Sequence, residues 1–195
     1  MIAYIRGKLV EKNPAYVVLE CNGIGYHINV SVTTYSKINE LTECQLFTHY
    51  YIRDESLPIL YGFADVLERH LFLEFVSVNG VGPNTARMIL SSYSPTEIRE
   101  AVIAGNVGLL KSIKGIGPKS AQRIILELGD KFKKQSPEGA ISLNAHNTPI
   151  EEALSALAIL GISRPAARKA LDRALKADSG MTGVEQLVKA ALKLI

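Results

Sequence analysis

The chain has 195 residues, 47% hydrophobic and 21% charged, with a formal net charge of +3, a composition that fits a soluble globular protein of one large or two to three small domains. No apolar run approaches the roughly 18 residues a membrane span requires, and the start "MIAYIRGKLVEK" lacks the basic-then-apolar order of a secretion signal, so a cytoplasmic protein without membrane contact is expected. Cys21 and Cys44, with no further ligand-type neighbours, speak against structural zinc and read as reduced thiols.

Residues 1–63 read as strands. Tyr16–Cys21 and Ile24–Val30 are rich in Val, Ile and Tyr, and Asn22-Gly23 stands between them; Asn-Gly between two β-rich runs marks a hairpin whose central residues both take positive φ. Further strands are expected at Ile2–Val10, Gln45–Ile52 and Leu57–Phe63. About five short strands in this length suggest a small barrel, of which the OB type is the commonest nucleic-acid-binding form. Arg53-Asp54-Glu55-Ser56 would be a polar hairpin tip with adjacent carboxylates.

From Asp65 the period becomes helical. Asp65 with Glu68, and Ser94-Pro95-Thr96-Glu97, have the spacing of capping boxes, and Ile98, Ala101 and Val102 mark a buried stripe. Residues 64–134 are therefore expected to form several short helices. They carry 10 basic and 7 acidic residues, and "KSIKGIGPKSAQR" (Lys111 to Arg123) holds four cations and no acid, a local positive face. Residues 135–148 are polar and broken by Pro and Gly, the composition of a flexible linker. In 149–195, Thr148 with Glu151 spaces a capping box before the stripe Ile150, Ala153, Leu154 and Leu157. A second helix is expected from near Ser163, and a third from Thr182 with Glu185 three residues on, so a small three-helix bundle follows.

The central feature is a repeat. "VNGVGPNTARMIL" (Val78 to Leu90) returns 35 positions later as "IKGIGPKSAQRII" (Ile113 to Ile125), aligning Gly80-Val81-Gly82-Pro83 with Gly115-Ile116-Gly117-Pro118 and Ala86, Ile89 and Leu90 with Ala121, Ile124 and Ile125. Each copy follows an apolar helical run, so the unit is helix, tight glycine turn, helix. Glycine allows positive φ and close approach, and proline at the first helical position removes an amide that would lack a partner anyway. What remains is a set of free N–H groups at a helix start, suited to phosphate. Binding of this kind reads nucleic-acid backbone without sequence preference and weakens with salt. The candidate contacts are Asn79, Gly80, Gly82 and Asn84 in the first copy and Lys111, Lys114, Gly115, Gly117, Lys119 and Arg123 in the second. A P-loop is excluded because Pro118 separates glycine from lysine, and a dinucleotide fingerprint because Ser120 stands where the third glycine belongs; no ATP, NAD or other cofactor is expected.

The order of a small barrel ending in "LYGF" (Leu60 to Phe63), then "NGVGP", "GIGPK", a loose linker and a helical bundle resembles the RuvA family, the Holliday-junction-binding subunits of the bacterial branch-migration complex. The resemblance implies an α+β multidomain protein: OB-fold barrel (1–63), tandem helix-hairpin-helix domain (64–134), linker (135–148) and a C-terminal three-helix, UBA-like bundle (149–195). It implies a homotetramer, or an octamer sandwiching the DNA, that holds a four-way junction open and square-planar in recombination and repair. The protein would be non-catalytic by itself and would couple a RuvB-type ATPase motor, with a RuvC-type resolvase as a further partner. Asp54 and Glu55, flanked by Arg53, fall where the family places an acidic pin, and Leu157, Leu160, Ile162 and Leu187 are candidates for the motor contact. The family often has lysine after the first Gly-x-Gly-Pro, where this chain has Asn84.

Two other readings compete. Base-excision glycosylases also use a helix-hairpin-helix followed by a lysine, as at Lys119, but need a downstream aspartate where Ser136 and Pro137 stand; Asp130 comes early, and no cysteine cluster offers an iron–sulfur site. A generic duplex tether would lack junction preference.

Overall fold

The structure is a computed structural model that describes residues 2–52, 57–134, 148–177 and 183–194. The described chain divides into two compact units, one ending with the helix at Lys134 and one beginning at Thr148.

In the first unit, β1 (Tyr4–Asn13), β2 (Tyr16–Cys21), β3 (Ile24–Val30), β4 (Glu43–Tyr51) and β5 (Ile59–Phe63) close into a barrel ordered β1-β2-β3-β5-β4. Only β3 and β5 pair in parallel; the other pairings are antiparallel. The β2–β3 turn takes positive φ at Asn22 (51°) and Gly23 (81°), as the Asn-Gly pair requires. Strand ends in β1, β4 and β5 differ from expectation by one to three residues, and two of these shifts have a local cause. β1 runs on to Asn13 because a bulge between Leu9 and Glu11 shifts the register without ending the ladder, hiding the strand's last part from the alternation rule. β5 starts after Pro58, which has no N–H to give to a ladder. The two thiols are free, on β2 and β4 with β1 between them, and burial pushes Cys44 up.

An unforeseen helix, α1 (Val32–Ile38), follows β3. Its Val-Thr-Thr content reads as strand, yet the Ser31 hydroxyl accepts from Thr34 N at 2.9 Å and starts a helix that buries Thr34 and Ile38. Five helices follow: α2 (Val66–Ser77), α3 (Pro83–Ser92), α4 (Pro95–Ile103), α5 (Val107–Ser112) and α6 (Pro118–Lys134). The box at Ser94 is complete: Ser94 N donates to Glu97 Oε2 (2.8 Å) and Glu97 N to Ser94 Oγ (3.3 Å), holding the Glu97 carboxyl below its usual range. The expected box at Asp65 is only half formed. Asp65 accepts from Glu68 N at 2.7 Å, but the fully buried Glu68 side chain turns to α1, where Ser31 Oγ and Thr34 Oγ1 donate to its two oxygens.

The barrel and these helices share one packed body. Tyr61 and Phe63 of β5 join the helical core, stacking on Phe72 of α2 at 5.1 and 4.9 Å between ring centres, while Phe75 meets Phe132 of α6 edge-on at 6.5 Å. The change at residue 63/64 is thus one of secondary structure, not of packing. A fully buried phenylalanine is stabilised by about 1.5–3 kcal/mol relative to its exposed state, so the α2 start is held to the barrel by both apolar contact and the Glu68 bonds.

The second unit is the expected three-helix bundle, α7 (Pro149–Ile159), α8 (Arg164–Ala177) and α9 (Val184–Leu192), around Leu154, Leu157, Leu171 and Leu187. One expected cap does not appear: Thr148 makes no side-chain cap bond, and Glu151 instead pairs with Arg164 at 3.3 Å. α9 is preceded by Gly183, and the start expected at Thr182 lies outside the described residues.

Burial raises the Glu68 carboxyl above the ordinary glutamate value of 4.5; its bonds from Ser31 and Thr34 and the charge of Lys37 oppose the rise, and Asp65 adds to it. A raised carboxyl is a source of stability at low pH that is lost as pH climbs through the raised value. Urea unfolding across pH should therefore show wild type losing stability relative to Glu68→Gln as pH rises from about 4.5, the native carboxyl still holding its proton where the unfolded one has released it. Glu68→Ala, which leaves two buried hydroxyls short of an acceptor, should cost about 2–4 kcal/mol below about pH 4.5 and less as the pH rises.

Candidate nucleic-acid interface

The two glycine turns match bond for bond. Val78 N donates to Phe75 O (3.1 Å) and Ile113 N to Leu110 O (3.3 Å). Val81 N donates to Val78 O (3.0 Å) and Ile116 N to Ile113 O (3.1 Å); Ala86 N donates to Gly82 O (2.9 Å) and Ala121 N to Gly117 O (3.0 Å). Gly80 and Gly115 take φ of 88° and 91°, a conformation that costs a residue with a Cβ. Between each glycine pair one apolar residue, Val81 or Ile116, is buried, while Gly80, Gly82, Gly115 and Gly117 are exposed. The apolar peg fixes the turn inward and leaves the glycine backbone facing out.

The starts of α3 and α6 follow from this. Helix geometry leaves the amides of Asn84 and Thr85, and of Lys119 and Ser120, without intrahelical acceptors. Gly82 and Gly117 have no side chain to cap them, and a Cβ built on Gly82, Gly115 or Gly117 would meet nothing within 4 Å. Both turns thus present open backbone donors at the positive end of a helix, a chemistry suited to a phosphate oxygen.

The two copies differ in what surrounds them. Asn84 Oδ1 accepts from Tyr61 Oη at 3.3 Å, and burial holds that phenol's pKa up so that it stays a donor. Arg87 Nη1 donates to Ala15 O and to Asn29 Oδ1, both at 2.9 Å. Thr33 Oγ1 donates to Leu90 O at 2.6 Å. The first hairpin is therefore tied to the barrel, and Asn84 is part of that tie. On the second hairpin Lys111, Lys114 and Lys119 are exposed and, among the described residues, make no ion pair. Arg123 has a double position: Nη1 donates to Asn79 O at 2.9 Å, bridging the hairpins, and Nε lies 3.9 Å from Glu127. That bridge across 44 residues was missed in the sequence, where Arg123 reads only as a charge facing phosphate; nothing local signals it.

Arg53, Asp54 and Glu55 lie outside the described residues, in the connection between β4 and β5. In the terminal unit the four candidate contact residues separate by exposure. Leu157 and Leu187 are buried in the core of the bundle, where α7 packs against α9. Ile162 is partly buried against the same core, and Leu160 is 60% exposed. Ile159, absent from the sequence-based set, is 86% exposed beside it. It stands off the Ile150-Ala153-Leu154-Leu157 stripe, and an apolar residue outside its helix's buried stripe is the signal that would have found it.

Among the described residues, no group of three or more His, Cys, Asp or Glu could hold a metal ion, and no helix is long and apolar enough to cross a membrane.

Three family models match the chain: the RuvA N-terminal domain at residues 1–62, the SAM-like helix-hairpin-helix tandem at 72–130 and the RuvA C-terminal domain at 148–195. Among similar curated proteins, the Holliday junction branch migration complex subunit RuvA of Christiangramia forsetii is 48% identical, covering 99% of each chain. The subunits so named from Cytophaga hutchinsonii and Flavobacterium psychrophilum are 44% and 45% identical, over 100% and 99% of each chain.

The glycines within one turn should respond differently to a methyl group. Gly115→Ala places a Cβ at positive φ and should cost about 1–2 kcal/mol, whereas Gly117→Ala, entering open space, should cost under about 1 kcal/mol; thermal unfolding of the two variants measures the difference.

Proposed function

The chain belongs to the RuvA family, and on that premise we propose that it binds four-way DNA junctions through phosphate contacts, holds them open, and recruits a ring-forming RuvB-type ATPase. The observation that carries this reading is the duplicated turn, two outward sets of unsatisfied amides on one rigid unit, with free lysines beside the second set. Gly80, Gly82, Gly115 and Gly117, with the amides that follow, contact sugar–phosphate oxygens; Lys111, Lys114 and Lys119 supply charge, and Arg123 holds the hairpins in register. None of these groups reads a base edge, so affinity is blind to sequence and steep in salt.

Junction preference comes from assembly. Four copies about a fourfold axis offer eight hairpins to four arms. Asp54 and Glu55 of each copy gather near the centre, where their charge repels phosphate, keeps the crossover strands apart and disfavours continuous duplex. A single tetramer leaves one junction face for a resolvase; a second tetramer closes it. The protein supplies no catalytic group and directs the motor, which engages the terminal bundle through Ile159 and Leu160. The glycosylase alternative loses ground because the three family models account for the chain from residue 1 to 195 apart from short gaps.

Band-shift titration against four-way junction, linear duplex and abasic duplex separates the readings. The junction should bind far more tightly with no strand scission; equal affinity for junction and linear duplex would contradict the proposal, and scission of abasic DNA would favour the glycosylase. Replacing Lys111, Lys114 and Lys119 by Gln should flatten the log–log salt dependence of junction affinity by about two to three units, near 0.9 per lost phosphate contact. Gly117→Ala should weaken junction binding more than its stability loss explains. Ile159→Asp with Leu160→Asp should keep junction affinity while abolishing stimulation of the motor's ATPase.

A further inference from the structure

One strongly charged surface lies outside the hairpin unit. α8 turns Ala167, Ala170, Leu171 and Ala174 inward, all buried. Its outer side carries Arg164, Arg168, Lys169, Arg173 and Lys176 against the single acid Asp172, so five of the seven Lys and Arg of residues 149–195 stand on this helix. Arg164 and Arg168 are engaged by Glu151 at 3.3 and 3.9 Å. Lys169, Arg173 and Lys176 make no ion pair among the described residues, and with Pro165, Arg168 and Asp172 they line one open depression.

We propose that the outer face of α8 is a second duplex-DNA contact, gripping the phosphate backbone without base specificity. Lys169, Arg173 and Lys176 follow the i, i+4, i+7 spacing of one helix face and span about 10 Å along the axis. Duplex DNA carries about one negative charge per 1.7 Å of its axis, so such a row faces several phosphates at once. A protein partner is the poorer fit for this face. Interfaces between proteins centre on buried aromatic or aliphatic anchors, and none of the exposed large apolar residues lies on α8; those of this unit, Ile150, Ile159, Leu160, Leu192 and Leu194, stand on or beside the other two helices. Covalent attachment to a unit already on DNA raises the local concentration of phosphate, so a contact too weak to hold DNA alone still adds to the affinity of the whole chain.

The test uses the full chain carrying Lys169→Gln, Arg173→Gln and Lys176→Gln, exposed positions whose change leaves the bundle core intact, with an unchanged melting temperature as the check on folding. The slope of log affinity against log salt for a four-way junction should flatten by about two to three units relative to wild type. An unchanged slope overturns the proposal. An unchanged slope with lost stimulation of the motor's ATPase overturns it in favour of an acidic protein surface as the occupant. The triple glutamine variant of the hairpin lysines is run in parallel; because it changes a different unit, failure of the hairpin reading and failure of this one are read separately.

Discussion

The paired hairpins of this molecule depend on one packing constraint: Val81 and Ile116 are buried while the glycines on either side of each are exposed. In both Gly-x-Gly steps the middle side chain is buried and the first glycine, Gly80 or Gly115, takes positive φ. Once the apolar peg is seated, the chain has no freedom left in the direction its amides face. The hydrophobic core therefore aims the polar surface. This explains why the two turns share hydrogen bonds to within a few tenths of an ångström although their flanking residues differ.

The differences between the copies then acquire a meaning. The first hairpin spends its polar groups on the barrel, through Asn84 to Tyr61 and Arg87 to Ala15 and Asn29. The second keeps three exposed lysines that make no ion pair among the described residues. Arg123 links the two by donating to Asn79 O, which ties the charged turn to the one anchored on the barrel. Glu68 completes the frame from the other side: a carboxyl without solvent contact, accepting from two hydroxyls of the barrel's only described helix, fixes where α2 begins. In the proposed function this frame would hold several phosphate contacts in fixed register, where each loosened contact gives up affinity to conformational entropy.

Much of this was legible in the letters because the relevant constraints are local. Only glycine tolerates the turn's φ, Asn-Gly marks the β2–β3 hairpin, and Ser94 with Glu97 closes a box within four residues. What was not legible depends on distant partners. α1 is written in β-branched residues, and its helical state follows from the Ser31 cap and the burial of Thr34 against Glu68. The same burial diverts Glu68 from its box with Asp65, as pairing with Arg164 diverts Glu151 at α7. Periodicity marks Leu157 and Leu187 as apolar but cannot tell core from contact surface, and the packing of α7 against α9 settles both as core. The Arg123–Asn79 bridge spans 44 residues and has no sequence signature.

The most direct test of the central claim is amide hydrogen exchange with and without a four-way junction. The account predicts fast exchange in the free protein at Asn84, Thr85, Lys119 and Ser120 and at the outward glycine amides, with strong slowing in the segments 79–85 and 114–120 when the junction is bound. Protection that appears elsewhere on the protein while both segments exchange as fast as before would contradict it.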